Sequence, residues 1–95
     1  YSQNQLNWIL GLNPFDICMV QGFGRNNPEY EKEWRNFQGG IVNGITSGYL
    51  NENDIDFLPP EAADKGDHRW RWSEQWLPHA VWYLIAISQL NSGSL

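Results

Sequence analysis

The sequence predicts a mainly α chain in which two helices are separated by a long irregular middle. Apolar residues recur at helical spacing near the start, and an unbroken apolar run follows a proline near the end. Between them the chain is rich in glycine, asparagine, proline and aspartate, the residues of turns and loops. Its 95 residues suit one small domain, yet 41% are hydrophobic and 15% aromatic, with 6 Trp. That is a heavy apolar load for so short a chain to bury.

Ser2 with Gln5 three residues later fits a capping box, and Leu6, Ile9 and Leu10 follow on one face, which places a first helix at about 2–10. Gly11 ends it. Asn13-Pro14 signals a turn, because the residue before proline is driven out of the helical region, and Phe15 to Val20 is then a short apolar run of extended character. From Gln21 to Lys65 the chain is irregular, with weak helical character only over Pro28 to Phe37. Gly39, Gly40, Gly44 and Gly48 mark turns around a strand-like Ile41-Val42 patch. A structureless stretch of this length is improbable as idle linker, and it reads as a binding rim within a loop region spanning 11–76. The last helix starts at Leu77 or Pro78, since proline is welcome only in a first turn, and runs to about 90, before Asn91-Ser92-Gly93.

Within that helix, Ala80 to Ile87 has no polar face. Such a helix is buried in a larger protein or in a membrane, and a membrane span needs roughly 20 apolar residues, about twice this run. Much of the core around it is therefore expected from elsewhere, either covalently attached or from a second chain. The chain begins without Met, directly in a helical pattern, which reads as a piece of a longer sequence.

The net charge of -5, with 11 acidic against 6 basic residues, argues against nucleic acid and anionic membranes as partners and leaves neutral polymers open. Cys18 is the single cysteine, which excludes an internal disulfide and a cysteine-rich zinc site, and neither His stands at metal-ligand spacing with another His or Cys. No cofactor is expected. The loop Asn51-Glu52-Asn53-Asp54-Ile55-Asp56 bunches oxygen donors as calcium sites do but lacks the glycine and distal glutamate of a helix-loop-helix site, so calcium stays only as an alternative there. Gly22-Phe23-Gly24 is not a phosphate loop, because no lysine with serine or threonine follows.

Chemistry is concentrated in Trp70-Arg71-Trp72-Ser73-Glu74-Gln75-Trp76-Leu77-Pro78-His79, where one carboxylate stands among three tryptophans just before the apolar helix. A carboxyl against indole rings is poorly solvated, which favours its neutral form and tunes it toward a general acid, while the same rings can stack on a sugar. The positive end of the helix that follows acts the other way.

Asn7-Trp8-Ile9-Leu10-Gly11-Leu12-Asn13-Pro14 followed by Gln21-Gly22-Phe23-Gly24-Arg25-Asn26-Asn27-Pro28 resembles the C-terminal part of family nine glycoside hydrolases, in which a helix ends in Leu-Gly-x-Asn-Pro before an aromatic Gly-Tyr/Phe-Gly-x-Asn-x-Pro loop. Asp67-His68-Arg69, Glu74 and the final helix resemble the ending of the same family, in the same order. The resemblance implies the C-terminal segment of a barrel of six helical hairpins, an (α/α)6 barrel, with long irregular loops, in a secreted or periplasmic enzyme that hydrolyses β-glucan chains with inversion. It implies that Glu74 is the general acid. The inverting reaction also needs a carboxylate base roughly 6.5–9.5 Å away, to leave room for water. In the family that base comes from an Asp-Ala-Gly-Asp-like motif near the N-terminal end of the domain, which this chain lacks, so no turnover is expected from these residues alone.

Two departures point to a divergent subgroup. Glu31-Lys32-Glu33-Trp34-Arg35 stands where the family carries a His-His-Arg cluster, and Pro78-His79-Ala80-Val81 where it carries Asp-Tyr/Trp-Asn-Ala. The substrate class expected is then a β-linked glucan or oligosaccharide rather than cellulose specifically. The residues expected to face substrate are Asp67, Arg69, Trp70, Trp72, His79, Phe23 and Arg25. Asp67 with Arg69 reads equally as an exposed ion pair, and His79 as a residue satisfied within its helix. Trp70 and Trp72 share a side if their stretch is extended, so that one of them lines a cleft. The rival to an enzyme is a self-standing carbohydrate-binding or interaction module in which Glu74 does no chemistry.

Overall fold

The computed structural model of the chain describes residues 1–28, 36–44, 46–47, 55–56 and 70–93. Among these the architecture is mainly α: helices α1 (Ser2–Ile9), α2 (Trp70–Ser73) and α3 (Leu77–Asn91), with strands β1 (Thr46–Ser47) and β2 (Ile55–Asp56) forming a two-stranded antiparallel sheet in which Thr46 faces Asp56.

Both long helices lie close to their expected bounds, and their ends explain the small differences. At the start of α1 the expected capping box does not form: Tyr1 is the N-cap, no side chain caps the helix, and Ser2 is already helical. A bond from Gln3 Nε2 to Asn7 Oδ1, 3.0 Å, links one turn to the next instead. At the other end Gly11 takes φ +117°, its N–H bonds Trp8 O at 3.2 Å, and the Leu12 N–H reaches back to Asn7 O at 2.9 Å. These two bonds are a Schellman ending, and the residue at that turn is glycine because a Cβ disfavours such a φ. In α3, Pro78 sits in the first turn behind an extended Trp76.

Asn13 fastens the turn after α1. Its amide Nδ2 donates to Trp8 O and Ile17 O, both at 2.8 Å, while Oδ1 accepts from Phe15 N and Ile17 N at 3.1 and 3.3 Å. The Leu-Gly-x-Asn-Pro pattern is thus a structural clasp, and it delivers the apolar run to the core. Val20 bridges Ile41 and Val42 bridges Gln75, both antiparallel, so the strand-like Ile41-Val42 patch becomes the middle strip between two others.

Met19, Ile41 and Val42 form the buried core, with Ile9, Ile17, Val20 and Tyr83 packed on its edges. The Met19 N–H bonds Ile9 O at 2.8 Å, which ties this core to the end of α1. At Gly44, with φ +68°, an added Cβ would overlap the Met19 side chain, so the chain passes the core there only as glycine.

No residue of α3 is buried, although the helix has apolar side chains all round. Leu77 is 76% and Trp82 70% exposed. Scattered apolar residues on a surface are ordinary, but a contiguous apolar helix surface is the mark of an interface. No helix among the described residues is long and apolar enough to cross a membrane. Residues 1–95 on their own are expected to bind a hydrophobic dye and to melt over a broad temperature range. A sharp calorimetric transition without dye binding would show that α3 is covered within this chain.

Candidate functional site

The turn between α2 and α3 carries Glu74, and the backbone around it is fixed from outside. The Asn43 N–H donates to Glu74 O at 2.9 Å and the Gly44 N–H to Trp72 O at 2.8 Å, while the Asn43 side chain donates to Trp70 O at 2.9 Å. The segment after the Ile41-Val42 strip therefore holds the glutamate's main chain. Beside it lies a buried amide cluster. Gln21, 1% exposed, accepts at Oε1 from Asn36 Nδ2 (3.0 Å) and Gln75 Nε2 (2.8 Å). Asn36 also donates to Ser73 O at 2.6 Å, and Gln75 both donates to Phe37 O (2.7 Å) and accepts from Phe37 N (2.9 Å). Residues on either side of Glu74, Ser73 and Gln75, are thus gripped by side chains distant in sequence.

The Glu74 side chain is half-buried, and its Oε2 accepts a 2.6 Å hydrogen bond from the Trp76 indole N–H. Of the three tryptophans that flank it in sequence, Trp76 reaches the carboxylate through its N–H, and its ring is 53% exposed. Trp70 and Trp72 do not share a side: their stretch is the short helix α2 rather than extended chain, and helical rotation sends Trp72 into the core at 1% exposure while Trp70 stays exposed.

Two open grooves flank the start of α3. One, of about 340 Å3, lies between Phe37, Gly40, Ile41, Gln75, Trp76, Leu77 and Ala80. The other, of about 360 Å3, is walled by α1 and α3 and includes Trp8, Asn43, His79, Trp82 and Tyr83. His79 is therefore placed in a different groove from Trp76. Burial pushes the Tyr83 phenol above its ordinary range, with the Cys18 thiol acting in the same direction.

Phe23 and Arg25 stand on the glycine loop, which is pinned elsewhere. The Cys18 N–H bonds Arg25 O at 3.0 Å, Asn27 closes the loop through Gly22 N (2.8 Å) and Gly24 O (2.9 Å), and the Arg25 side chain pairs with Asp16. That ion pair is exposed and contributes little to stability. Gly24 takes φ +75°, and a Cβ there would press 2.6 Å from Cys18 Sγ. Gly24 thus lets the loop close over Cys18, while Gly22, at φ +80°, leaves room for the Gln38 side chain. Asp67 and Arg69 lie outside the described residues, as does the oxygen-rich 51–56 loop apart from Ile55 and Asp56 in β2. No cluster of His, Cys, Asp and Glu suited to a metal ion occurs among the described residues.

The structure brings together Glu74 and Trp76 and adds Gln75, Gln21, Asn36 and Phe37 to their surroundings. Sequence reasoning passed over these four. An isolated amide or phenylalanine carries no motif, and their pairing spans up to 54 residues. No protein-family model matches the chain, and no curated protein matches it.

Gly40 faces the Gln75 amide, and an added Cβ would overlap that side chain. Because Gln75 is held by three hydrogen bonds, it cannot yield without releasing Phe37. Gly40→Ala is expected to speed hydrogen exchange at the Phe37 amide by about tenfold or more, within the roughly 1–3 kcal/mol that overpacking costs. In a Gln75→Ala background the same substitution is expected to add little. Equal effects in both backgrounds would show that Gln75 is not what Gly40 accommodates.

Proposed function

We propose that this chain is the C-terminal part of the catalytic domain of an inverting glycoside hydrolase of the family nine type, acting on a β-linked glucan or oligosaccharide. Glu74 is its general acid. The observation that carries this reading is the setting of that carboxyl: half-buried, bonded by the Trp76 indole N–H, and seated on a backbone fixed by Asn43 and by the amides at Ser73 and Gln75. A general acid must be held within hydrogen-bond reach of the leaving oxygen, and such fixation serves that need.

In the reaction proposed, the Glu74 carboxyl gives its proton to the glycosidic oxygen as the bond from that oxygen to the anomeric carbon breaks. The bonding pair stays with the departing sugar and Glu74 is left as carboxylate. Water adds to the anomeric carbon from the opposite face and gives its proton to a second carboxylate, so that the pair still holds one proton and one negative charge and the centre is inverted. That base belongs to the remainder of the domain or to a second chain. The uncovered apolar surface of α3 supports such a complement, because packing against further helices is what an (α/α)6 barrel supplies. No cofactor takes part. A polymer substrate of this kind fits a secreted or periplasmic enzyme, and the acidic net charge fits a neutral polysaccharide rather than nucleic acid or a membrane.

A second reading, a non-catalytic carbohydrate-binding or interaction module, draws on the exposed rings of Phe23, Phe37, Trp70 and Trp76. Glu74→Gln in the complete protein separates the two. For the enzyme, turnover of cellotetraose is expected to fall about 10²- to 10⁴-fold, the contribution of acid catalysis, while dinitrophenyl β-cellobioside, whose leaving group needs no proton, is largely spared. Sugar binding without hydrolysis in the parent protein, unchanged by Glu74→Gln, would establish the module instead.

A further inference from the structure

The indole of Trp76 has an unusual combination of properties: its ring is half in solvent, yet its N–H is committed to a short 2.6 Å bond with Glu74 Oε2. We infer that Trp76 is a positioning residue for the acid, selecting which oxygen of Glu74 carries the transferable proton; this rests on the proposed role of Glu74. A carboxyl oxygen that accepts an N–H cannot turn an O–H toward the same donor, so a proton on Glu74 resides on Oε1. Among the described residues no donor engages Oε1, which leaves that oxygen available to a glycosidic oxygen. The short, charge-assisted type of bond made to the carboxylate also returns the side chain to one orientation after each proton transfer.

The backbone supports this role. Trp76 is the N-cap of α3, in extended conformation with φ −116° and ψ 132°, and its carbonyl accepts the His79 N–H at 3.1 Å. Its main chain is set by the helix start, and that of Glu74 by Asn43. The indole spans two residues whose backbones are fixed independently, so it turns main-chain rigidity into side-chain rigidity. The two residues between which it acts are separated by Gln75, whose own amide is held by Gln21 and Phe37. With three consecutive residues constrained, the carboxyl has little freedom except about its own side-chain torsions, and the indole bond removes that.

Trp76→Phe deletes the N–H and keeps an aromatic ring. In the complete protein it is expected to lower kcat on cellotetraose by about tenfold or more, part of the 10²- to 10⁴-fold that acid catalysis supplies, with KM little changed. Activity on dinitrophenyl β-cellobioside is expected to stay within about threefold, since misplacing the acid does not matter where no proton is needed. That activated substrate is also the folding control, because a misfolded variant loses both activities. A parallel fall on both substrates, or a fall expressed in KM, would make Trp76 a packing or sugar-stacking residue and overturn the inference. Unchanged kcat on both would also overturn it. Glu74→Gln run alongside separates the layers: if it spares cellotetraose turnover, the acid assignment itself fails, whereas if it behaves as an acid variant and Trp76→Phe does not, only the positioning role fails.

Discussion

Gln75 divides its side-chain amide among partners that come from two distant stretches: the Gln21 oxygen on one side, and both the carbonyl and the N–H of Phe37 on the other. The remainder of the described structure depends on this sharing. Gln21 continues the strip begun by Met19 and Val20, Phe37 precedes the turn into Ile41-Val42, and Gln75 is the bridge partner of Val42. The amide cluster therefore joins side to side the three strips whose backbones carry the core. Buried polar groups of this kind are costly when unmatched and restrictive when matched, because a shift in register would break several of these bonds at once. The same register sets Asn43 opposite Glu74 and leaves the carboxyl beside Trp76.

Glycines permit the cluster rather than decorate it. Gly40 leaves space for the Gln75 amide, and Gly44 lets the chain turn past Met19 directly after the strip that pairs with Gln75. Any side chain at either position would push on a group that is already committed. Asn13 has a comparable part at the other end of the core: it closes the turn after α1 so that Met19 comes under Ile9. The motifs that mark the chain most clearly in sequence, the Asn-Pro turn and the glycine loop, are thus mainly devices of backbone closure.

The most conspicuous imbalance lies at α3. Among the described residues Tyr83 packs on the edge of the core and is partly covered, while Leu77, Trp82 and Leu84 are largely exposed. Hydrophobic burial is the dominant favourable contribution to folding, so a helix of this composition is stable in place only when something apolar lies over it. Within the proposed barrel that cover is the neighbouring hairpins.

Periodicity and turn chemistry by themselves determined the two long helices, the stop at Gly11, the proline in the first turn of α3 and the strand-like character of Ile41-Val42, because each depends on residues near one another in the chain. They misplaced the helix cap at Ser2, where the backbone began one residue earlier without side-chain help, and they left open whether Trp70 and Trp72 share a side, because that holds only for an extended stretch and this one is a single helical turn. Glu74 stands among indoles in the sequence, but which indole meets its carboxylate is a matter of rotation about two short elements. Only the tertiary structure decided that Trp72 fills the core, that Trp76 bonds the carboxylate, and that Gln21, Asn36 and Gln75 hold the turn. The amide contacts join groups up to 54 residues apart, for which a local sequence pattern carries no signal, and the Trp76 bond depends on side-chain rotation that spacing does not fix.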